Sequence, residues 1–109
     1  MNNRFRNVTV ELMTLACLIQ KPSNSYEISK FINAHTLFES TSSQNEVFTI
    51  LCYLCDRRYI ECNRDSMNNI IKNEYIILSK GKEYYKRLLE DYNKRVLSVN
   101  NFLTCVSHF

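Results

Sequence analysis

The 109-residue sequence contains one glycine, one proline and no tryptophan. So little glycine and proline leaves few places for tight turns and no flexible linker, so helices should dominate. The single glycine also excludes a glycine-rich phosphate-cradling loop. The sequence holds no apolar run of about 18 residues, the least that spans a membrane as a helix. It carries no basic, apolar and small-residue leader at its N-terminus either. The expectation is a cytoplasmic protein with no membrane partner. Neither charge sign prevails: 14 Lys and Arg against 11 Asp and Glu leave a net charge of +3. That permits a nucleic-acid partner without requiring one.

What is present reads as one ordinary globular domain, 45% hydrophobic and 23% charged, with room for a modest core but not for two. The five cysteines, at positions 17, 52, 55, 62 and 105, are odd in number and scattered, which is no disulfide framework. Cys52 and Cys55 make a CxxC, with Cys62, His35 and His108 as further candidate zinc ligands. Structural zinc wants four tetrahedral ligands, mostly from tight turns. Cys52 and Cys55 instead fall inside a helical pattern, with Cys55 on its buried side, so free thiols and no metal or cofactor are expected. Cys52, at the edge of the exposed side, is a candidate redox sensor with only Arg57 and Arg58 near enough in sequence to activate it. No Ser–His–Asp or paired-carboxylate spacing stands out, and no enzyme activity is expected. The seven Tyr and six Phe can build core or line an effector pocket between protomers.

Along the chain, Val8, Leu12, Leu15 and Ile19 form the stripe of a first helix. Pro22 stops it, and Asn24 with Glu27 three residues later has the pattern of a capping box. Ile28, Phe31 and Ile32 give the second helix, around 25–34, its buried edge. Ser43 and Glu46 repeat the capping-box pattern, so a third helix should start at Gln44 with Val47, Phe48, Leu51, Leu54 and Cys55 on its core face. After Arg57 and Arg58 the chain turns rich in Ile and Tyr. "YIECNR" and "IIKNEYIIL", split by the polar "DSMNN", predict a hairpin. Ser79 can cap a last helix. The order predicts a mainly α fold with a small β-hairpin: a winged helix-turn-helix over 1–79 and an appended helix over 80–109.

In that last helix Tyr85, Leu89, Tyr92, Val96, Val99, Leu103 and Val106 alternate steps of four and three, an unbroken heptad seam. Some 25 helical residues extend roughly 37 Å, longer than a small three-helix core can cover. The seam therefore predicts a homodimer, built by this helix alone or jointly with the first helix. Packing on its own domain is the plainer alternative.

The third helix opens with "STSSQNEVFTIL", rich in hydroxyls and amides. With Leu51 at the centre of the buried face and about 100° per residue, Ser42, Asn45, Thr49 and Tyr53 project away from the core. Gln44 lies nearer the buried side, but in the first turn, where a long amide can reach around. Amides and hydroxyls at the start of such a helix suit base edges, and the first-turn N–H groups suit a phosphate. Ser43 is assigned to capping and its neighbours to contact. The alternative is a capped helix start with a solvated face.

Three segments in order resemble the PadR family of winged-helix transcriptional regulators. "VTVELMTLACLIQKPSNSYEISKFI" is similar to the family's opening, an "ELLILALL" type of helix followed by Pro and a "GYEI" helix. "SQNEVFTILCYLCDRRYIE" resembles the "SEGTLYPALHRLEEEGLIE" type of recognition helix. "EYIILSKGKEYYKRLL" resembles the strand-to-helix signature "YYxLTxxGxxxL". The resemblance implies a homodimer, double-stranded operator DNA as partner, repression as activity, often a small aromatic effector, and no enzyme. The chain departs from the pattern at Ser25 and Arg58, where Gly is usual, and at Thr49, where Pro is usual. Its "LSKG" is one residue shorter than "LTxxG". Its wing, "RDSMNNIIK", offers phosphates only Arg64 and Lys72. Two functions stay open, a sequence-specific repressor and a winged-helix module that binds another protein.

Overall fold

The computed structural model describes residues 8–36, 44–64 and 73–107. Within them run α1 (Val8–Gln20), α2 (Ser25–His35), α3 (Gln44–Asp56), β1 (Ile60–Asn63), β2 (Glu74–Ile77) and α4 (Ser79–Val106). Local chemistry explains most of the boundaries. α1 ends before Lys21, because the residue preceding a proline is pushed out of the helical region. At α2 the capping box is complete: Glu27 N–H donates to Asn24 Oδ1 at 2.8 Å, and Asn24 N–H donates to Glu27 Oε1 at 2.9 Å. Such a cap is worth about 1 kcal/mol. The Ser43 cap lies outside the described residues, although α3 starts at Gln44 as its pattern predicts.

α3 closes with Arg58 in the left-handed region, φ 63°. Arg58 N–H donates to Cys55 C=O and Tyr59 N–H to Leu54 C=O, both at 3.0 Å. This is a Schellman ending in which arginine occupies the place glycine usually takes. β1 and β2 pair antiparallel in the register Ile60 to Ile77 and Asn63 to Glu74. Ser23 joins the far side of β2, exchanging backbone bonds of 3.3 and 2.8 Å with Tyr75. The hairpin tip, including Lys72, lies outside the described residues.

The core is Val10, Leu15, Leu18, Ile28, Ile32, Val47, Ile50, Leu51, Leu54, Ile60 and Tyr75. α1 sits at its centre, touching α2, α3, β2 and α4, and this corrects the predicted stripe. Leu12 and Leu15 are buried, but Ile19 is exposed and Val8 only half-buried. Val10, Glu11, Thr14 and Leu18 are buried instead, because a helix covered on several sides has no single stripe. On α2, Phe31 is 54% exposed, while Ile28, Ile32 and the small Ser25 and Ser29 face inward. On α3, Ile50 is buried and Phe48 and Cys55 are only half-buried, since α1, α2 and β1 all press on it.

The start of α4 is a second correction. Ser79 is not its cap but its first helical residue; Leu78 takes the N-cap place with no side-chain bond. The entry is set by pairing instead: Leu78 N–H donates to Tyr59 C=O at 3.0 Å, and Leu78 C=O accepts from Lys82 N–H at 2.9 Å. Gly81 follows, buried against that same Tyr59 carbonyl, where a Cβ would stand 2.0 Å from the oxygen. No other residue type fits there without moving backbone.

Candidate nucleic-acid interface

α3 presents Asn45, Thr49, Cys52 and Asp56 on its exposed side, spaced by four, three and four residues, which aligns them along one face. Thr49 Oγ1 donates to Asn45 C=O at 3.0 Å. That bond turns its hydroxyl hydrogen inward, leaving lone pairs and the methyl group to face a partner. Asn45 carries both a donor and an acceptor on its amide. Gln44 is half-buried in the first turn. Tyr53 projects less freely than its helical angle predicts: it is half-buried and packs on the core. The Arg57 guanidinium lies over its ring, 4.8 Å from the centroid. Ser42 lies outside the described residues, as does Lys72. Arg64 is exposed at the end of β1.

Sequence reasoning had Arg57 and Arg58 but missed the cation that joins them at the far end of α3. Arg57 and Arg58 are both exposed, and Lys80 from α4 reaches across to donate from Nζ to Arg57 C=O at 3.2 Å. Its ammonium also lies 5.2 Å from the centroid of Tyr59. A cation at a helix C-terminus complements the unpaired carbonyls there. The spacing of Tyr53 and Arg57, four residues apart, was the available signal for the stack.

Burial acts on three of the thiols. Burial pushes the Cys55 thiol up to about 11, helped by the negative charge that Cys62, Cys52, Asp56 and Glu61 would carry. Cys52 is raised too, by burial and then by Asp56 and Cys62. Cys17 is raised by burial. Among the described residues no group of three or more His, Cys, Asp or Glu is arranged to hold a metal ion, and no helix is long and apolar enough to cross a membrane.

α4 changes character along its length. Tyr84, Tyr85 and Leu88 pack against the core, and Leu89 is half-buried. From Glu90 to Ser107 every residue is exposed. Tyr92, Val96, Val99, Leu103 and Val106 continue the arc of the buried ones, uncovered, from 39% exposure at Val96 to 56% at Leu103. Phe102, at 66%, falls on the flank of the same arc at about 100° per residue. Leu97 falls outside it. Between α1 and α2 lies an open groove of about 820 Å³, lined by Met13, Cys17, Ile28, Ile32 and the stacked rings of Phe31 and His35, 4.1 Å apart.

No protein-family model matches the sequence, and no curated relative does. Solved structures do match the fold. A transcriptional regulator from Clostridium thermocellum aligns at 24% identity and TM-score 0.77, over 94% of this chain and 97% of that one. A PadR-like transcriptional regulator from Bacillus cereus aligns at 23% and 0.71, over 87% and 91%. A PadR family transcription regulator from Clostridium difficile aligns at 15% and 0.70, over 86% and 97%. The chain has the winged-helix fold of these regulators.

Proposed function

We propose that the protein is a dimeric, sequence-specific DNA-binding transcriptional regulator of the PadR type, acting as a repressor on double-stranded operator DNA. The observation that carries this is the polar outer face of α3, Asn45 and Thr49 with Gln44 beside them, on a winged-helix fold. In that fold the helix after the turn enters the major groove with its N-terminal residues toward the bases. The similar structures are named as transcriptional regulators, which supports the same role here. The uncovered apolar arc of α4 supports a homodimer through Tyr85, Leu89, Tyr92, Val96, Val99, Leu103 and Val106. A monomer has no reason to keep so long an apolar face in water. Arg64 and Lys72 are the wing's phosphate contacts in this reading, with Ser42, Gln44, Asn45, Thr49 and Tyr53 on α3. For a small aromatic effector, the apolar groove between α1 and α2, with its Phe31 and His35 rings, is the candidate seat. Such a regulator works in the cytoplasm, on the nucleoid when bound.

One observation favours the second reading, a winged-helix module that binds protein. Asp56 is exposed on the same face of α3 and repels phosphates. Selection from random duplexes separates the two. A repressor enriches an inverted repeat with half-sites one helical turn apart, about 10–10.5 bp. Equally weak binding to all duplexes, with no palindrome enriched, replaces it with the protein-binding module.

A further inference from the structure

One buried contact ties three elements together across the whole length of the chain. Glu11, in the first turn of α1, is completely buried, and Tyr84 of α4 donates its hydroxyl to Glu11 Oε2 at 2.6 Å. The Tyr84 ring lies flat on Tyr59, 4.1 Å between centroids and 4° between planes. Tyr59 is the residue that completes the Schellman ending of α3: its N–H bonds back to Leu54 and its C=O accepts from Leu78. Gly81 closes on that same carbonyl. Tyr84 is therefore where the last helix is keyed to α1 on one side and to the end of α3 on the other. Beyond Leu89 the helix runs clear of its own domain.

We propose that Tyr84, held by Glu11 and stacked on Tyr59, is a positioning residue that sets the angle between α3 and the free half of α4, and through it the half-site spacing the dimer accepts. This rests on the DNA-binding dimer argued above. In such a dimer the free halves of α4 meet at the two-fold axis, so each α3 is placed on DNA only through this joint. The free half, from Tyr92 to Val106, is about 21 Å long. From the joint at Tyr84 to Val106 the helix runs about 33 Å, so a swing of about 10° there moves the far end by about 6 Å, against about 3.4 Å for one base-pair step on DNA. An unfixed joint would thus blur spacing by a whole base pair. Stacking alone leaves the Tyr84 ring free to slide over Tyr59; the directional bond to a buried carboxylate fixes it.

The test compares operators whose half-sites are one base pair closer, at the optimum, or one base pair farther apart. Wild type should prefer its best spacing by about tenfold or more, the scale of one lost base contact. Tyr84→Phe keeps the ring and removes the donor; Glu11→Leu removes the acceptor. Both should still dimerise, with the preference reduced to about threefold or less. Glu11→Gln keeps a carbonyl acceptor and should restore the sharp preference, a rescue that a loss of overall stability would not produce. A DNA-free measurement runs beside it: dipolar distances between nitroxides on Cys52 of the two protomers, in a background with Cys17→Ala, Cys55→Ala, Cys62→Ala and Cys105→Ser. The distribution should be narrow with Tyr84 and broad with Phe. Unchanged spacing preference and unchanged distance widths in Tyr84→Phe overturn the inference and leave the repressor reading intact. Failure of both Tyr84→Phe and Glu11→Leu to fold overturns it too, since the contact would then be a determinant of the fold. A wild type with no preferred palindrome and no dipolar signal overturns the repressor reading itself.

Discussion

From Ser79 to Leu89, α4 is pressed against its own domain, with Tyr84, Tyr85 and Leu88 packed on the core and Gly81 buried at the Tyr59 carbonyl. From Glu90 to Ser107, the same helix keeps the same apolar spacing and stands wholly exposed. The two halves are one uninterrupted pattern in sequence and two environments in space. A heptad period says which face of a helix wants covering, but not what covers it. In the near half the cover is α1. In the far half nothing among the described residues covers it, and in the proposed dimer a second copy presenting the same arc supplies the cover by two-fold symmetry. The difference also assigns the two halves separate work. On the proposed reading, the near half fixes an angle and the far half makes a contact.

The strongest way to break this division is at the near half. Gly81→Ala places a Cβ 2.0 Å from a backbone oxygen that already accepts the bond starting α4. Backbone cannot yield as a flexible side chain can, so the cost should reach about 3 kcal/mol or more. In a domain of this size that lowers Tm by roughly 10 °C or more. Thermal denaturation checks it, with Ser98→Ala in the exposed half as the control that should cost nothing. A Gly81→Ala protein as stable as wild type would mean that α4 is not docked where it is described.

The far half should break without unfolding. Val96→Glu with Val99→Glu places like charges opposite each other across the two-fold axis, a penalty of several kcal/mol. The double variant should sediment as a monomer while keeping its helical circular dichroism. Wild type that already sediments as a monomer at micromolar concentration would leave the far arc without an explanation.

What was legible in the sequence was mostly local. The capping box at Asn24, the stop before Pro22 and the order of elements depend on residues a few positions apart, and each is found. What was missed depends on partners far away in sequence. Glu11 and Thr14 look like the polar side of α1 until α4 and its neighbours arrive to bury them; the Tyr84 to Glu11 bond spans 73 residues. Ser79 has the right side chain for a cap, but strand pairing at Leu78 sets the helix start one residue earlier. Phe31 has the right period for the core, yet borders a groove. On the candidate site the sequence placed Asn45 and Thr49 outward correctly, because exposure on a one-sided helix end follows from angle alone. It overstated the freedom of Tyr53, whose ring is roofed by Arg57.

The N-terminal end of α3, the proposed DNA contact, should give a smaller and more selective effect. Asn45→Ala removes an amide able to pair with an adenine edge and should cost about 1–3 kcal/mol of binding while relaxing preference at one base position. Arg64→Ala should weaken every sequence alike and flatten the salt dependence by about one unit. Titrations of matched and mismatched duplexes at several salt concentrations distinguish the two. Equal losses on all sequences from Asn45→Ala would take base reading away from this helix.

The smallest expected change compares two neighbours at the other end of α3. Arg57 is in ordinary helical geometry with its guanidinium over Tyr53; Arg58 is exposed and carries a left-handed φ of 63°. A side chain there costs about 1–2 kcal/mol relative to glycine, while glycine gives back part of that through a looser unfolded chain. Arg58→Gly should therefore stabilise the fold by about 0.5–1 kcal/mol, a rise in Tm of a few degrees. A strained arginine kept where glycine folds better points to a use for its charge. If that use is a phosphate contact, the stabilised variant should bind every duplex more weakly, with a salt slope reduced by about one unit. If Arg58→Gly is both more stable and equally tight on DNA, the arginine is strain without a return at this site, and the phosphate contacts belong to Arg57, Lys80 and the wing.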